Sequence, residues 1–350
     1  MRPAIALSEP VADGFGDSSA TASSLSEFVA ASGLRSMVLG ASKDPNAKIT
    51  VLLVSADTQR PVLAIKAPTT DEAARAVEAE ARVLSELSRS YPRQLAATVP
   101  RVVNSVEYMG RRAIVLTAVP GTPMTTSYMR WRHTARRSRV AADFAAVEAW
   151  LAAFQSATAQ HAAALDMDGG VAARLAVRFA DDERLGADLH ALAGIHARLH
   201  AQTVRRTAVH GDLWIGNVLL TAGRVTGVVD WEAGSTTGEP VRDLIRFALM
   251  YALYLDRRTR PGRTVAGHAG LRAGEWGVAV RFALDGTGWL PELFRRFVES
   301  GLARLGASPS AWRDAVLAGI AEVAALTDDP GFGRLQLELF RSLTAAREAT

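Results

Sequence analysis

Cysteine is absent from the 350 residues. That excludes structural disulfides, thiolate metal sites and cysteine nucleophiles. It is compatible with a reducing compartment. No run of about 18 uninterrupted apolar residues occurs, so no membrane span is expected. The N-terminal stretch MRPAIALSEPVADG has one Arg and a short apolar run cut by Glu9 and Pro10. That run is too short for a signal-peptide core, and the expected location is cytoplasmic. Lysine is nearly missing. Of 40 basic residues only Lys43, Lys48 and Lys66 are lysine, so a lysine within a strand invites a question. The formal charge is only +4, a mild excess that does not call for nucleic acid.

What is present is an ordinary globular composition with 49% apolar residues and no internal repeat. Residues 1–24, rich in Ser, Ala, Asp and Gly, read as a tail. Strand-like runs follow at 36–39, 49–55 and 61–66, with Pro61 at a strand's first position, where no ladder donor is needed. Thr69 or Thr70 then caps a helix with Asp71 and Glu72 in its first turn, running towards Tyr91-Pro92. Two more strands, 101–107 and 112–119, join at Met109-Gly110. Pro120-Gly121-Thr122-Pro123 punctuates the chain as a hinge. Beyond it the pattern is mostly helical, with helices near 140–164 and 181–201 and a strand pair at 218–220 and 225–230. The expected domains are a tail at 1–24, a strand-rich lobe at 25–119 and a helical lobe at 120–350. Ligands would sit in the cleft between the lobes.

The most informative segment is 209–232, VHGDLWIGNVLLTAGRVTGVVDWE. Asp212 follows His210-Gly211, Asn217 lies five residues on, and a strand–turn–strand leads to Asp230. Phosphoryl transfer needs one group to orient a hydroxyl and accept its proton, and oxygen ligands to hold Mg²⁺ against phosphates. Two Asp and one Asn supply that set. The plain alternative is loop-capping Asp and Asn residues.

HGDLWIGN followed by VVDWE resembles the catalytic and metal loops of the aminoglycoside phosphotransferase and choline kinase family. The resemblance implies an α+β, two-lobed protein-kinase-like fold and a kinase for a small-molecule hydroxyl. It implies ATP and Mg²⁺ as cofactors, Asp212 as catalytic base, and Asn217 and Asp230 as metal ligands. His210 and Gly211 match the residues that shape the catalytic loop. Gly238-Glu239-Pro240 and Asp243-Leu244 resemble a following motif in which the Asp supports that loop from below. Lys66, ending VLAIK, falls where this fold places the lysine that contacts ATP phosphates. Glu80 of the next helix is its expected partner; Glu78, about 200° round the helix, cannot face the same way. The phosphate-covering loop is expected at 40–44, with Ser42 or backbone amides on phosphate and no GxGxxG. Adenine is expected against the backbone near Thr117 and Val119.

Other features have plainer readings. Arg130-Trp131-Arg132-His133, followed by Arg136, Arg137 and Arg139, reads as a solvated linker. His190, His196 and His200 read as packing or surface histidines, because no acidic residue completes a HExxH pattern. Trp276, Trp289 and Trp312 read as core. Residues 244–350 hold 14 Arg against 11 Asp and Glu. That balance favours a neutral or weakly charged acceptor, such as a sugar or amino alcohol, over a polycation. Two other classes stand beside this reading. A nucleotide-binding pseudokinase would not need the complete set Lys66, Asp212, Asn217 and Asp230. A protein kinase would show HRD, DFG and APE.

Overall fold

The computed structural model describes residues 24–41, 46–90 and 97–348. Ser42 and most of the expected phosphate loop lie outside the described residues, as do 1–23. The described chain divides into two compact units. One holds 24–41, 46–77 and 102–118; the other holds 78–90, 97–101 and 119–348.

The first unit is a five-stranded antiparallel sheet. Its strands are β1 (Arg35–Ala41), β2 (Lys48–Val54), β3 (Pro61–Pro68), β4 (Val102–Tyr108) and β5 (Arg111–Thr117), in the order β1-β2-β3-β5-β4. Alternation sets its buried face: Val51 and Leu53 on β2, Leu63, Ile65 and Ala67 on β3, and Ala113 and Val115 on β5. Helix α1 (Leu25–Ser32) adds Leu25, Phe28 and Val29 to this cluster. Its start is secured by a reciprocal cap between Ser24 and Glu27 and its end by Gly33 at φ 66. Lys66 has the opposite parity from Ile65 and Ala67, so it points to the other face of the sheet, where it is buried.

Helix α2 (Asp71–Ser90) starts at Thr70, whose hydroxyl accepts from Ala73 N at 3.1 Å. Thr69 instead donates to the Ala47 carbonyl. Residues 78–90 and 97–101 group with the second unit, and three bonds explain this. Trp231 N donates to Glu80 Oε1 at 3.1 Å, Val228 N to the Thr98 carbonyl at 2.8 Å, and Trp150 Nε1 to Thr98 Oγ1 at 3.0 Å.

The second unit is mainly helical. After the short strand β6 (Thr122–Pro123) come α3 (Met124–Tyr128), α4 (Arg137–Ala157), β7 (Ala162–Ala164), α5 (Val171–Arg178) and α6 (Leu185–His200). Helix α4 stops seven residues before the expected 164, because 162–164 pair with β8 (Thr203–Arg205) instead. Strands β9 (Thr207–Val209), β10 (Val218–Thr221), β11 (Arg224–Val228) and β12 (Ser235–Gly238) follow. The β10–β11 hairpin turns on Ala222 (φ 51) and Gly223 (φ 76), the two positive angles of a type I′ turn. β10 also pairs with β6, and β12 with β9. The chain closes with α7 (Val241–Leu253), α8 (Val278–Asp285), α9 (Trp289–Leu305), α10 (Trp312–Leu326) and α11 (Pro330–Glu348).

Helix α7 is the most enclosed element near the loops of interest. Leu244, Ile245, Phe247 and Ala248 are fully buried. Two glycines let its neighbours approach closely: a Cβ on Gly301 of α9 would lie 2.4 Å from Leu244, and one on Gly319 of α10 would lie 2.4 Å from Ile245. No helix among the described residues is long and apolar enough to cross a membrane.

The basic stretch 130–139 is anchored from within. His133 Nε2 meets Asp143 Oδ2 at 2.7 Å, and Tyr251 OH donates to the same oxygen at 2.7 Å. Trp131 stands 85% exposed, and Arg130, Arg132, Arg136 and Arg137 are exposed too, while one buried histidine holds the segment down.

Candidate active site

The loop between β9 and β10 carries Asp212, and its backbone is clamped from beneath. Asp243, in the first turn of α7, accepts His210 N at 2.7 Å on one carboxylate oxygen and Gly211 N at 2.8 Å on the other. The carboxyl is buried, and burial pushes its pKa above the ordinary value against the opposing pull of the two N–H donors. His210 is wholly enclosed. Its Nε2 donates to the Val229 carbonyl at 2.9 Å and its Nδ1 accepts Asp212 N at 3.2 Å, which places the ring hydrogen on Nε2. The imidazole thus ties the loop to the segment that precedes Asp230. Gly211 between them sits at φ 81, and a Cβ there would lie 2.1 Å from the Ala233 carbonyl oxygen. Only glycine fits.

Asp212 is presented at the surface of this frame. Asn217, buried, donates from Nδ2 to the Asp212 carbonyl at 3.0 Å and approaches Asp212 Oδ2 at 3.5 Å. With the amide nitrogen turned to Asp212, Asn217 offers its Oδ1 as an acceptor. Asp230 lies just beyond β11 in the left-handed region, at φ 72. Its neighbours hold that conformation: Val229 N donates to the Asn217 carbonyl at 3.0 Å, and Trp231 N donates to Glu80. Trp231 is fully buried against His210 and Phe154. Asn217 and Asp230 bring hard oxygen donors, the type Mg²⁺ takes. Among the described residues no three His, Asp or Glu side chains form a metal-holding cluster.

A pocket of about 300 Å³ opens beside Asp212. Gly211, Glu232 and Ala233 line it, with Arg242 and Arg246 of α7, Gly319, Glu322 and Leu326 of α10, and Asp328 just beyond that helix. Arg246 donates from Nε to Asp212 Oδ1 at 2.9 Å, and its Nη2 stands 2.7 Å from the same oxygen in an ion pair. Arg242 pairs with Glu322. Burial pushes the Glu322 carboxyl up, while Arg242 and Arg246 pull it down. The lining carries four acids, Asp212, Glu232, Glu322 and Asp328, against two arginines. Its local balance is therefore opposite to that of the whole segment 244–350.

Asp212, Asn217, Asp230, His210 and Asp243 are thus brought together within one unit, joined by Glu80, which is buried while Glu78 is exposed. Lys66 and Thr117 belong to the sheet unit, on β3 and at the end of β5. Val119 falls in the helical unit, packed under Gly227. Trp276, Trp289 and Trp312 are half-buried against Phe332, His268 and Arg295, and none of them lines the pocket. His196 approaches Asp168 at 3.6 Å, outside any ligand cluster. Sequence reasoning did not single out Arg242, Arg246, Glu322, Glu232 or Asp328. For Arg246 a signal was available: it lies three residues after Asp243, on the same helical face.

The family model described as the phosphotransferase enzyme family matches residues 48–279. That is more than half of the chain, and the chain belongs to this family. Among solved structures, an apo thermostable mutant of aminoglycoside phosphotransferase APH(4)-Ia aligns with a TM-score of 0.54 at 13% identity, over 90% of this chain and 96% of that one. A further variant of that enzyme, in ternary complex with AMP-PNP and hygromycin B, gives 0.53 at 13% identity, over 90% and 95%. ADP-bound aminoglycoside phosphotransferase APH(2'')-Ib gives 0.51 at 13% identity, over 90% and 97%. At such identities the likeness shows the fold, which is kinase-like. No curated protein matches the chain.

Proposed function

We propose that this chain is an ATP- and Mg²⁺-dependent kinase that phosphorylates a hydroxyl of a small molecule. The observation that carries the reading is Asp212: a carboxylate on a clamped loop, open to a pocket large enough for a small acceptor. In the proposed step the acceptor hydroxyl gives its proton to Asp212 Oδ2. Its oxygen bonds to the γ-phosphorus, and the bond from that phosphorus to the departing ADP oxygen breaks. Asn217 and Asp230 would hold Mg²⁺, which when bound offsets the charge of the phosphates. Lys66 is assigned to the nucleotide phosphates, and the backbone near Thr117 and Val119 to adenine. His210 and Asp243 shape the loop and touch no substrate.

Family membership supports the reaction class. Related folds captured with AMP-PNP or ADP support the choice of nucleotide. The acid-rich lining supports a hydroxylated acceptor that carries an amine, an amino alcohol or amino sugar, over a neutral sugar.

The test is ADP release from Mg-ATP across sugars, amino alcohols and aminoglycosides, beside Asp212→Asn. Losing a positioned base costs about 10²–10⁴-fold in rate. Acceptor-dependent turnover that disappears in the variant is expected. Equal turnover in both proteins would sink the reading.

A further inference from the structure

We infer that Arg246 is a positioning residue for the transfer, pinning Oδ1 of Asp212 so that Oδ2 alone meets the acceptor hydroxyl. This rests on Asp212 being the base.

Both guanidinium contacts converge on the same oxygen, Nε at 2.9 Å and Nη2 at 2.7 Å. Among the described residues the other oxygen meets only Asn217 Nδ2, at 3.5 Å, the outer limit of a hydrogen bond. The two oxygens are therefore not equivalent. A carboxylate on a single Cα–Cβ stem turns freely unless something holds it, and here one side is held. Arg246 is held in turn. It projects from α7, whose face is fixed by Leu244 and Ile245, and it lines the pocket that Asp212 faces. Arg242 lies one turn away on the same helix. Two like charges at that spacing repel. Asp212 and Glu322 stand against them, and Glu322 feels both arginines. The alternation Asp212, Arg246, Glu322, Arg242 along the wall leaves Arg246 attracted from two sides.

The same helix thus acts on the loop twice, through Asp243 on the backbone of 210–211 and through Arg246 on the side chain of 212. The second contact adds nothing to the backbone clamp, so its use lies in the orientation of the carboxylate.

Arg246→Ala and Arg246→Lys test this in steady-state ADP release from Mg-ATP, with water or with the best acceptor of the panel. Thermal melts confirm that each variant is folded. Arg246→Ala is expected to lower kcat about 10–100-fold, because small misplacements of reacting groups cost rates of that order. KM for ATP and for the acceptor should stay within about twofold, the pattern of a contact used in the transition state. Added methylguanidine should restore part of the rate. Arg246→Lys should fall between, since an ammonium cannot reproduce the planar fork. Unchanged kcat in Arg246→Ala would overturn the inference. So would a raised acceptor KM with normal kcat, which would make Arg246 an acceptor anchor. Wild-type ADP release no faster than that of Asp212→Asn would instead sink the phosphotransfer reading, and the inference with it.

Discussion

Asp243 and Arg246 stand three residues apart on one buried helix and grip three consecutive residues of the same loop, the first through backbone N–H groups and the second through a carboxylate. The division of labour separates their expected phenotypes. Asp243→Asn keeps one acceptor oxygen but turns an amide donor against an N–H. Leaving a buried donor unsatisfied costs about 1–3 kcal/mol, with more for charged partners. A lower Tm together with lost turnover is expected from Asp243→Asn. An unchanged Tm would show that the clamp is dispensable.

Gly211→Ala tests the shape of the loop directly. The left-handed backbone at φ 81 costs a side chain about 1–3 kcal/mol. The Ala233 carbonyl then blocks the new Cβ. Loss of ADP release with at least a measurable drop in denaturant midpoint is expected. Full activity would mean that the Ala233 segment moves aside freely.

Glu239 precedes α7 and is expected to give the fold a pH dependence below neutrality. Burial raises its pKa from 4.5 to about 7, although it pairs with Arg206 and accepts Asp166 N at 2.9 Å through Oε2. Burial prevails because Oε1 is enclosed without a partner, the place where a proton relieves the cost. A carboxyl whose folded pKa is raised contributes stability below its unfolded pKa and loses that contribution as pH climbs through the folded value. The contribution therefore falls between pH 4.5 and about 7, by on the order of 3 kcal/mol in total. Melts of wild type and Glu239→Gln from pH 5 to 8 should diverge, with the wild type losing ground as pH rises. Parallel profiles would show that Glu239 does not titrate there.

The metal set is tested by binding rather than turnover. A nucleotide at 100 times its Kd stabilises the folded chain by about 2.7 kcal/mol. With Mg-ATP a rise in Tm is expected for wild type, a smaller one for Asn217→Ala or Asp230→Asn, and a reduced one for all three on chelation. An Mg²⁺-independent rise of equal size in every variant would remove Asn217 and Asp230 from the metal.

Much of this site was legible because its parts are close in the chain. Asp212, Asn217 and Asp230 sit on one loop and one hairpin, so their spacing carries their relation, and the turn at Ala222-Gly223 is itself written in turn chemistry. The alternation that sends Lys66 to the face opposite Ile65 is a property of any strand. Helix ends were less legible. Thr158 closes α4 by donating its hydroxyl to the Phe154 carbonyl at 2.9 Å, and the pairing of 162–164 with 203–205 takes the chain out of helix beyond it.

The sequence by itself determined the order of elements, the phosphotransferase motif and the residues that form its loops, because periodicity and short-range spacing encode them. The pocket wall was decided only in three dimensions. Arg246 reaches Asp212 across 34 positions, and Arg242 reaches Glu322 across 80. Gly319, by letting α10 close on Ile245, sets where Glu322 falls. Such contacts depend on how buried helices pack, and packing depends on shape and volume summed over distant residues, which no local pattern records.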